Sequence, residues 1–172
     1  EEEVTSNGEK IQFSDIDSIE FENVSFKYPN ATDYAIKNLS FKIKGSENIA
    51  IVGHNGAGKT TLVKLLCRFY QPTEGVIKIN DIDIEKFDIH SYWTLLSTLF
   101  QDFETFGMSA TESIGYGNIE DIDNKEKIEK VAQITGIHDY LESLPLGYKT
   151  PLIRDLENGV GLSTGQWQKI AI

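Results

Sequence analysis

The sequence has little cysteine, methionine and proline, with one, one and four of these residues in 172. A single cysteine, Cys67, excludes an internal disulfide framework and is typical of a protein in a reducing compartment. Basic residues are also scarce, since 16 Lys and Arg stand against 27 Asp and Glu, for a formal net charge of −11. A broad nucleic-acid-binding surface needs clustered basic side chains, so no nucleic-acid partner is expected.

Long hydrophobic stretches are missing as well. The longest aliphatic run, Ile49 to Val52, is far shorter than the roughly 20 residues that a membrane helix needs. Length and a hydrophobic content of 40% predict one globular domain with a sizeable core. Residues 1–17 are polar and acidic and show no hydrophobic periodicity, which indicates a linker.

Hydrophobic alternation in the first half predicts β-strands. Apolar residues alternate from Ile19 to Phe26, with a slip at Asn23 that predicts a bulge. A second stretch, Ala35 to Ile43, predicts an antiparallel partner, and Val76 to Ile79 a further strand. The apolar run Asn48 to Val52 predicts a buried parallel strand, and 95–100 a weaker strand candidate.

Helical spacing appears at three places. Residues Lys59 to Tyr70 carry apolar side chains at i, i+3, i+4 and i+7, which predicts an amphipathic helix. Asn124 to Thr135 predicts a second helix that ends at Gly136. Tyr140 to Leu144 predicts a short third helix. The inward side chains expected for the first two helices are Leu62, Leu65, Leu66 and Phe69, and Ile128, Val131 and Ile134.

Between the predicted parallel strand and the first helix lies a complete phosphate-binding motif, G-x-x-x-x-G-K-[ST]. A chance match in a Gly-rich turn is the alternative, but the strand before and the helix after are the context that the motif requires. The glycines let successive backbone N–H groups point into one concavity, and the helix dipole adds positive potential. The motif consists of Gly53, His54, Asn55, Gly56, Ala57, Gly58, Lys59 and Thr60.

The chemistry of this loop predicts a nucleotide site that uses Mg²⁺, and by itself it leaves kinases, GTPases, motor proteins and many ATPases open. Lys59 would reach the β- and γ-phosphates, and the Thr60 hydroxyl would ligate Mg²⁺. The N–H and hydroxyl of Thr61 can reach the α-phosphate. His54 is interpreted as a tolerated variable residue of the loop.

A second motif distinguishes among the protein families that contain such a phosphate-binding loop. Residues 162–166 read L-S-T-G-Q and lie about a hundred residues after Lys59. They resemble the L-S-G-G-Q signature of ABC-type ATPases, with Thr164 in place of the first glycine. Ordinary N-capping of a helix by Ser163 is the alternative interpretation. In the resemblance, the signature residues Ser163, Thr164, Gly165 and Gln166 contact the γ-phosphate held by another copy.

Further segments are similar to the same family in its own order. Gln101 resembles the Q-loop glutamine, which meets Mg²⁺ and the attacking water and faces the membrane domain. Tyr28 resembles the aromatic residue that stacks on adenine; a packing aromatic at a strand end is the alternative. Asn158 to Gly161, with Glu157, resembles the segment that in exporters touches the coupling helices.

The resemblance covers residues 18–172 and implies an α/β fold. It has a P-loop NTPase core, an N-terminal antiparallel β-subdomain, and a helical subdomain that carries the signature. No run of four aliphatic residues followed by Asp-Glu occurs in the 172 residues. The domain is therefore expected to be incomplete at its C-terminus, without Walker B, D-loop or switch histidine, and the 172-residue chain alone is expected to be inactive in hydrolysis.

As a whole, the resemblance implies an exporter ATPase on the cytoplasmic face of the cell membrane. Its partners would be a second nucleotide-binding domain in a head-to-tail dimer with ATP, and transmembrane domains on the same polypeptide. Residues 1–17 would be the linker from those domains. A soluble ABC protein and a non-catalytic nucleotide-sensing module are the alternatives. Sequence before Glu1 would separate transporter from soluble protein, and sequence after Ile172 would separate enzyme from sensor.

Overall fold

A computed structural model describes residues 8–11, 15–100 and 108–172. The chain divides into two compact units, Glu1–Leu96 and Ser97–Ile172. Within the described ranges, no helix has the length and apolar character needed to cross a bilayer.

A four-stranded antiparallel sheet forms the frame of the first unit. Its strands are β1 (Ser18–Phe26), β2 (Ile36–Lys44), β3 (Glu74–Ile79) and β4 (Ile82–Asp83), in the spatial order β2-β1-β3-β4. The central strand β1 pairs antiparallel with both β2 and β3. The N-terminal antiparallel subdomain predicted from the alternation is therefore confirmed.

The bulge predicted at Asn23 is also confirmed. The register of β1 shifts between Phe21 and Val24, and Asn23 takes a left-handed φ of 48°. Strict alternation would turn Phe21 and Val24 to opposite faces of the sheet, but the extra residue brings both into the core. Their exposed fractions are 2% and 0%.

Two helices and one 3₁₀ turn complete the first unit: α1 (Lys59–Leu66), the turn Ile84–Lys86 and α2 (Ile89–Trp93). The prediction that the first helix continues to Tyr70 is wrong, because α1 ends after two turns. Arg68 has a left-handed φ of 56°, which terminates the helical path. Phe69, expected on the inward face, is exposed, whereas Leu65 is fully buried.

The strand predictions for 48–52 and 95–100 are wrong for this structure. Neither segment forms a strand, and no described residue pairs with 48–52. Ile49, Ile51 and Val52 are exposed by 51%, 48% and 88%. A parallel strand is buried only when neighbours cover both its edges and both its faces, and no described residue pairs with either edge of this segment.

Part of the predicted linker lies against the first unit. The backbone of Glu9 pairs with the chain around Phe87, and Ile11 N donates to Ser91 Oγ at 2.8 Å. The Asn80 side chain accepts from Asp17 N at 2.7 Å. These contacts fasten residues 9–17, where described, to the end of β3 and the start of α2.

The second unit is helical, as predicted for the subdomain that carries the signature. Its helices are α3 (Ala110–Gly115), α4 (Lys125–Thr135), α5 (His138–Glu142) and α6 (Thr164–Ala171), so the short helix predicted over 140–144 begins two residues earlier. Its buried core consists of Ala110, Ala132, Ile137, Leu141, Leu152 and Ile170.

The helix predicted over 124–135 forms with the expected ends. Asn124 caps it and Gly136 closes it with a φ of 68°. The inward face differs, because Ile128 and Ala132 are buried whereas Ile134 is 76% exposed. At about 100° per residue, Ile134 points roughly 140° away from the centre of the stripe that Ile128 and Ala132 form.

Candidate functional site

The loop before α1 is shaped by two glycines with positive φ. Gly56 has a φ of 83° and Gly58 a φ of 86°. Ala57 N donates to His54 O at 3.2 Å and closes a tight turn. A Cβ at position 58 would lie 2.7 Å from Ala35 O, so only glycine fits where the loop passes β2.

Replacing Gly58 by alanine is therefore expected to destabilise the first unit by about 2–4 kcal/mol, from left-handed strain and a backbone clash together. Gly56→Ala is the matched control, since Gly56 has a similar φ but a Cβ there would meet nothing within 4 Å. It is expected to cost only about 1–2 kcal/mol. Denaturant unfolding of both variants measures the difference, and equal losses would contradict the role given to the Ala35 contact.

The N-terminus of α1 is open to an anion. Its cap residue, Gly58, offers no side chain, and the first turn contains no acidic residue. The first intrahelical bond runs from Leu62 N to Gly58 O at 2.9 Å. The N–H groups of Lys59, Thr60 and Thr61 consequently have no acceptor within the helix.

The other helices of the described chain have no such opening. Asp88, Ser109, Asn124 and Ser163 cap α2, α3, α4 and α6 with their side chains. Helix α5 lacks a side-chain cap but carries Asp139 in its first turn. Among the α-helices of the described residues, α1 is therefore the one with an uncapped N-terminus and no acidic residue in its first turn, and its positive potential is left for a ligand.

Lys59 places a cation at the mouth of this loop. Its Nζ donates to Gly53 O and to His54 O, both at 2.8 Å. An ammonium group has three donors, and these two bonds use two of them within the described residues. No carboxylate among the described residues forms an ion pair with Lys59. The loop thus holds a positive charge that its own side chains do not neutralise.

His54 and Asn55 lie on the exposed side of the loop. His54 Nδ1 is 2.8 Å from Asn55 O, and since a carbonyl only accepts, Nδ1 carries the proton. Thr60 is exposed in the first turn of α1. Its hydroxyl oxygen is the kind of hard ligand that Mg²⁺ prefers, so this position fits the metal predicted there.

Tyr28 is half-buried just beyond the end of β1. Its ring packs edge-on with Phe26 at 4.9 Å and with Tyr70 at 5.2 Å between centroids. Its hydroxyl lies 3.0 Å from Thr61 Oγ1. The structure therefore brings together two predicted site residues, the base platform and the α-phosphate ligand, which are 33 residues apart.

The C-terminal end of α1 is anchored by two residues that sequence reasoning missed. Tyr92 Oη donates to Leu66 O, and Trp93 Nε1 donates to Cys67 O at 2.9 Å. Tyr92 is fully buried, and burial raises the pKa of its phenol, which stays a donor at neutral pH. The sequence does place Tyr92 and Trp93 side by side after the helix cap Asp88, but it does not show their hydrogen-bond partners, which lie 26 residues earlier.

The signature segment lies in the second unit, at the start of α6. Ser163 Oγ accepts from Gln166 N at 3.3 Å, and Gln166 Oε1 accepts from Ser163 N at 2.8 Å, a capping box. Ser163 therefore does cap a helix, as the alternative interpretation of this segment expects. Thr164 and Gly165 are exposed, and a Cβ at position 165 would meet nothing within 4 Å.

Two other predicted segments have different outcomes. Gln101 lies outside the described residues, so its Q-loop role remains a prediction. The turn before the signature is described: Asn158 has a φ of 58°, and a Cβ on Gly159 would lie 1.9 Å from Ile153 O. The glycine at 159 is therefore explained by the turn itself.

Comparison with known proteins identifies the family of the chain. A family model described as ABC transporter matches residues 36–172. The chain therefore belongs to the ABC transporter family, as an ATP-binding domain. The P-loop NTPase fold class expected from the motifs is confirmed by this match and by the structural likeness below.

Several relatives are exporter components. The subtilin transport ATP-binding protein SpaT of Bacillus subtilis is 39% identical over 172 residues, 99% of this chain and 28% of that protein. An ATP-dependent lipid A-core flippase of Coxiella burnetii is 40% identical over 90% of this chain and 26% of its own length. The chain thus spans about a quarter of these relatives.

A solved structure gives the same result. A bacterial Atm1-family ABC exporter with ATP bound matches with a TM-score of 0.86 and 32% identity, over 97% of this chain and 28% of that one. This likeness supports the fold class through coordinates as well as through sequence.

Proposed function

We propose that this chain binds Mg·ATP at residues 53–61 and serves as the nucleotide-binding domain of a membrane exporter. The observation that carries the proposal is the uncapped N-terminus of α1 beside the Lys59 ammonium group, which together form an anion site of the right chemistry for polyphosphate. A titration of the chain with Mg·ATP tests it. Saturable binding of one nucleotide per chain supports the proposal, and no saturable binding contradicts it.

Within this site, Lys59 binds the β- and γ-phosphates and the backbone N–H groups of α1 surround the phosphate chain. Thr60 would ligate Mg²⁺, which when bound would neutralise charge on the phosphates. The loop keeps the amides in place because its turn is closed by the Ala57–His54 bond and by both bonds of Lys59.

Tyr28 is proposed as the platform for adenine. Tyr28→Ala is expected to weaken ATP binding by about 1–3 kcal/mol, the scale of base–aromatic stacking. Binding of inorganic triphosphate, which has no base, is expected to weaken less than binding of ATP. Calorimetric titration with both ligands measures the two affinities. Equal losses for ATP and triphosphate would show that Tyr28 supports the loop without contacting the base.

The signature segment is proposed to act on a second copy. Gly165 is exposed, and no described residue lies within 4 Å of a Cβ built at this position, so the described part of the chain gives no reason for glycine there. Close approach of a partner is such a reason. We therefore assign Ser163, Thr164, Gly165 and Gln166 to the γ-phosphate held by Lys59 of the partner domain, in a head-to-tail dimer with two ATP molecules.

The transport role rests on the relatives. SpaT is named for subtilin transport, the Coxiella burnetii relative is a lipid A-core flippase, and CvaB of Escherichia coli is named for colicin V secretion. By analogy, the partners are transmembrane domains on the same polypeptide, at the cytoplasmic face of the membrane, and ATP binding and hydrolysis drive export. Hydrolysis by the 172 residues alone is not expected, because they contain no aliphatic run followed by Asp-Glu.

A further inference from the structure

The hydroxyls of Tyr28 and Thr61 form a contact that none of the site motifs requires. Tyr28 Oη and Thr61 Oγ1 are 3.0 Å apart, a hydrogen bond between the end of β1 and the first turn of α1. Thr61 is only 6% exposed, so its hydroxyl is largely shielded from water. The hydrogen-bond partner of the Thr61 hydroxyl within the protein therefore determines the orientation of its O–H bond.

The ring of Tyr28 is held in place for this bond. Phe26 and Tyr70 pack against it at interplanar angles of 78° and 85°, and Lys64 Nζ lies 6.0 Å from its centroid. These contacts come from β1, from α1 and from the loop that follows α1. A ring fixed on three sides delivers its hydroxyl at a defined position, and little conformational entropy remains to be lost when the bond forms.

The direction of the bond has a chemical consequence. A hydroxyl carries one proton and two acceptor lone pairs. If Thr61 donated to Tyr28, its proton would be used inside the protein. If Tyr28 donates, the Thr61 proton is left for another acceptor, and a phosphate oxygen is the strongest acceptor proposed nearby. Each bond of such a chain polarises and strengthens the next.

We propose that Tyr28 is a positioning residue for phosphate binding, in addition to a platform for the base. With nucleotide bound, its hydroxyl donates to Thr61 Oγ1 and thereby directs the Thr61 proton at the α-phosphate. This inference rests on the proposed nucleotide site. It predicts an effect of the Tyr28 hydroxyl that stacking does not produce, because a phenylalanine stacks as well as a tyrosine.

A double-mutant cycle with Tyr28→Phe and Thr61→Val tests the relay, with ATP and adenosine as ligands. Tyr28→Phe is expected to weaken ATP binding about fivefold, within the range of one hydrogen bond, and to leave adenosine binding unchanged. In the Thr61→Val background, Tyr28→Phe is expected to have no further effect on ATP. An unchanged affinity in Tyr28→Phe, an equal loss for adenosine, or additive losses in the double variant would each overturn the inference.

Tyr34→Phe is the matched control, since Tyr34 is 42% exposed and its hydroxyl makes only a 3.5 Å contact with Glu74. It is expected to bind ATP like the wild type. Thermal unfolding without nucleotide distinguishes a stabilising bond from a positioning one. If the bond is purely structural, Tyr28→Phe and Thr61→Val each lower Tm, while their ATP affinities equal that of the wild type. Failure of the wild type to bind ATP would instead contradict the proposed function.

Discussion

Replacing Lys59 by alanine is expected to weaken ATP binding by at least about a hundredfold, roughly 3 kcal/mol. The variant loses the ammonium group that would contact the β- and γ-phosphates. It also loses the two bonds, both 2.8 Å, that tie the helix to Gly53 O and His54 O. Titration of both chains with Mg·ATP measures the effect.

The control for this variant is Lys86→Ala, which removes one positive charge from an exposed position of the same unit. Its ATP affinity is expected to stay within about twofold of the wild type, because Lys86 is not part of the proposed site and exposed charges are screened by salt. Thermal unfolding checks that both variants fold. Wild-type affinity in Lys59→Ala would mean that the phosphate-binding assignment is wrong.

The second large effect concerns turnover. The 172-residue chain alone is expected not to hydrolyse ATP at a meaningful rate, even with Mg²⁺. Phosphoryl transfer is catalysed mostly by positioning and by electrostatic stabilisation, so lack of the carboxylates that orient water and secure the metal costs many orders of magnitude. No Asp-Glu pair after an aliphatic run occurs in these residues, and the signature is proposed to act on a phosphate held by another copy.

A phosphate-release assay on the 172-residue chain, beside a form extended past the Walker B strand, measures this difference. The extended form is expected to turn over and the shorter chain to show only background release. Comparable turnover in both would contradict the expectation and would require a catalytic carboxylate among residues 1–172. Lys59→Ala in the extended form gives the background rate.

Local patterns account for much of the fold. The alternation from Ile19 to Phe26, with its slip at Asn23, located both β1 and its bulge, because side-chain direction along a strand depends on neighbouring residues. Asn124 and Gly136 likewise located the ends of α4, because caps are satisfied within one turn. Such features are encoded within a few residues.

Features that depend on distant partners were predicted less well. Residues 48–52 read as a buried strand, but burial requires neighbours on both edges, and the exposed Ile49 and Val52 have none in the described chain. Helix α1 stops at Leu66, where Arg68 turns left-handed. Hydrophobic spacing continued to Phe69 and gave no sign of that turn.

The site shows the same difference between features encoded within a few residues and features that depend on distant partners. The motif over 53–60 predicted the loop and its helix, because its residue types impose a local geometry. The Tyr28–Thr61 bond joins residues that only the packing of β1 against α1 brings together, so no motif showed it. The roles of Gln101 and of the signature remain predictions.

Hydrogen exchange of the chain with and without Mg·ATP tests the central claim most directly, because it shows where nucleotide binds. The amides of Lys59, Thr60 and Thr61 have no acceptor within α1 and would be occupied by phosphate oxygens. Saturating Mg·ATP is expected to slow exchange in peptides that cover residues 53–61, and Lys59→Ala is expected to remove the effect. Unchanged exchange in those peptides at a concentration where ATP binds, or protection confined to other parts of the chain, would contradict the account.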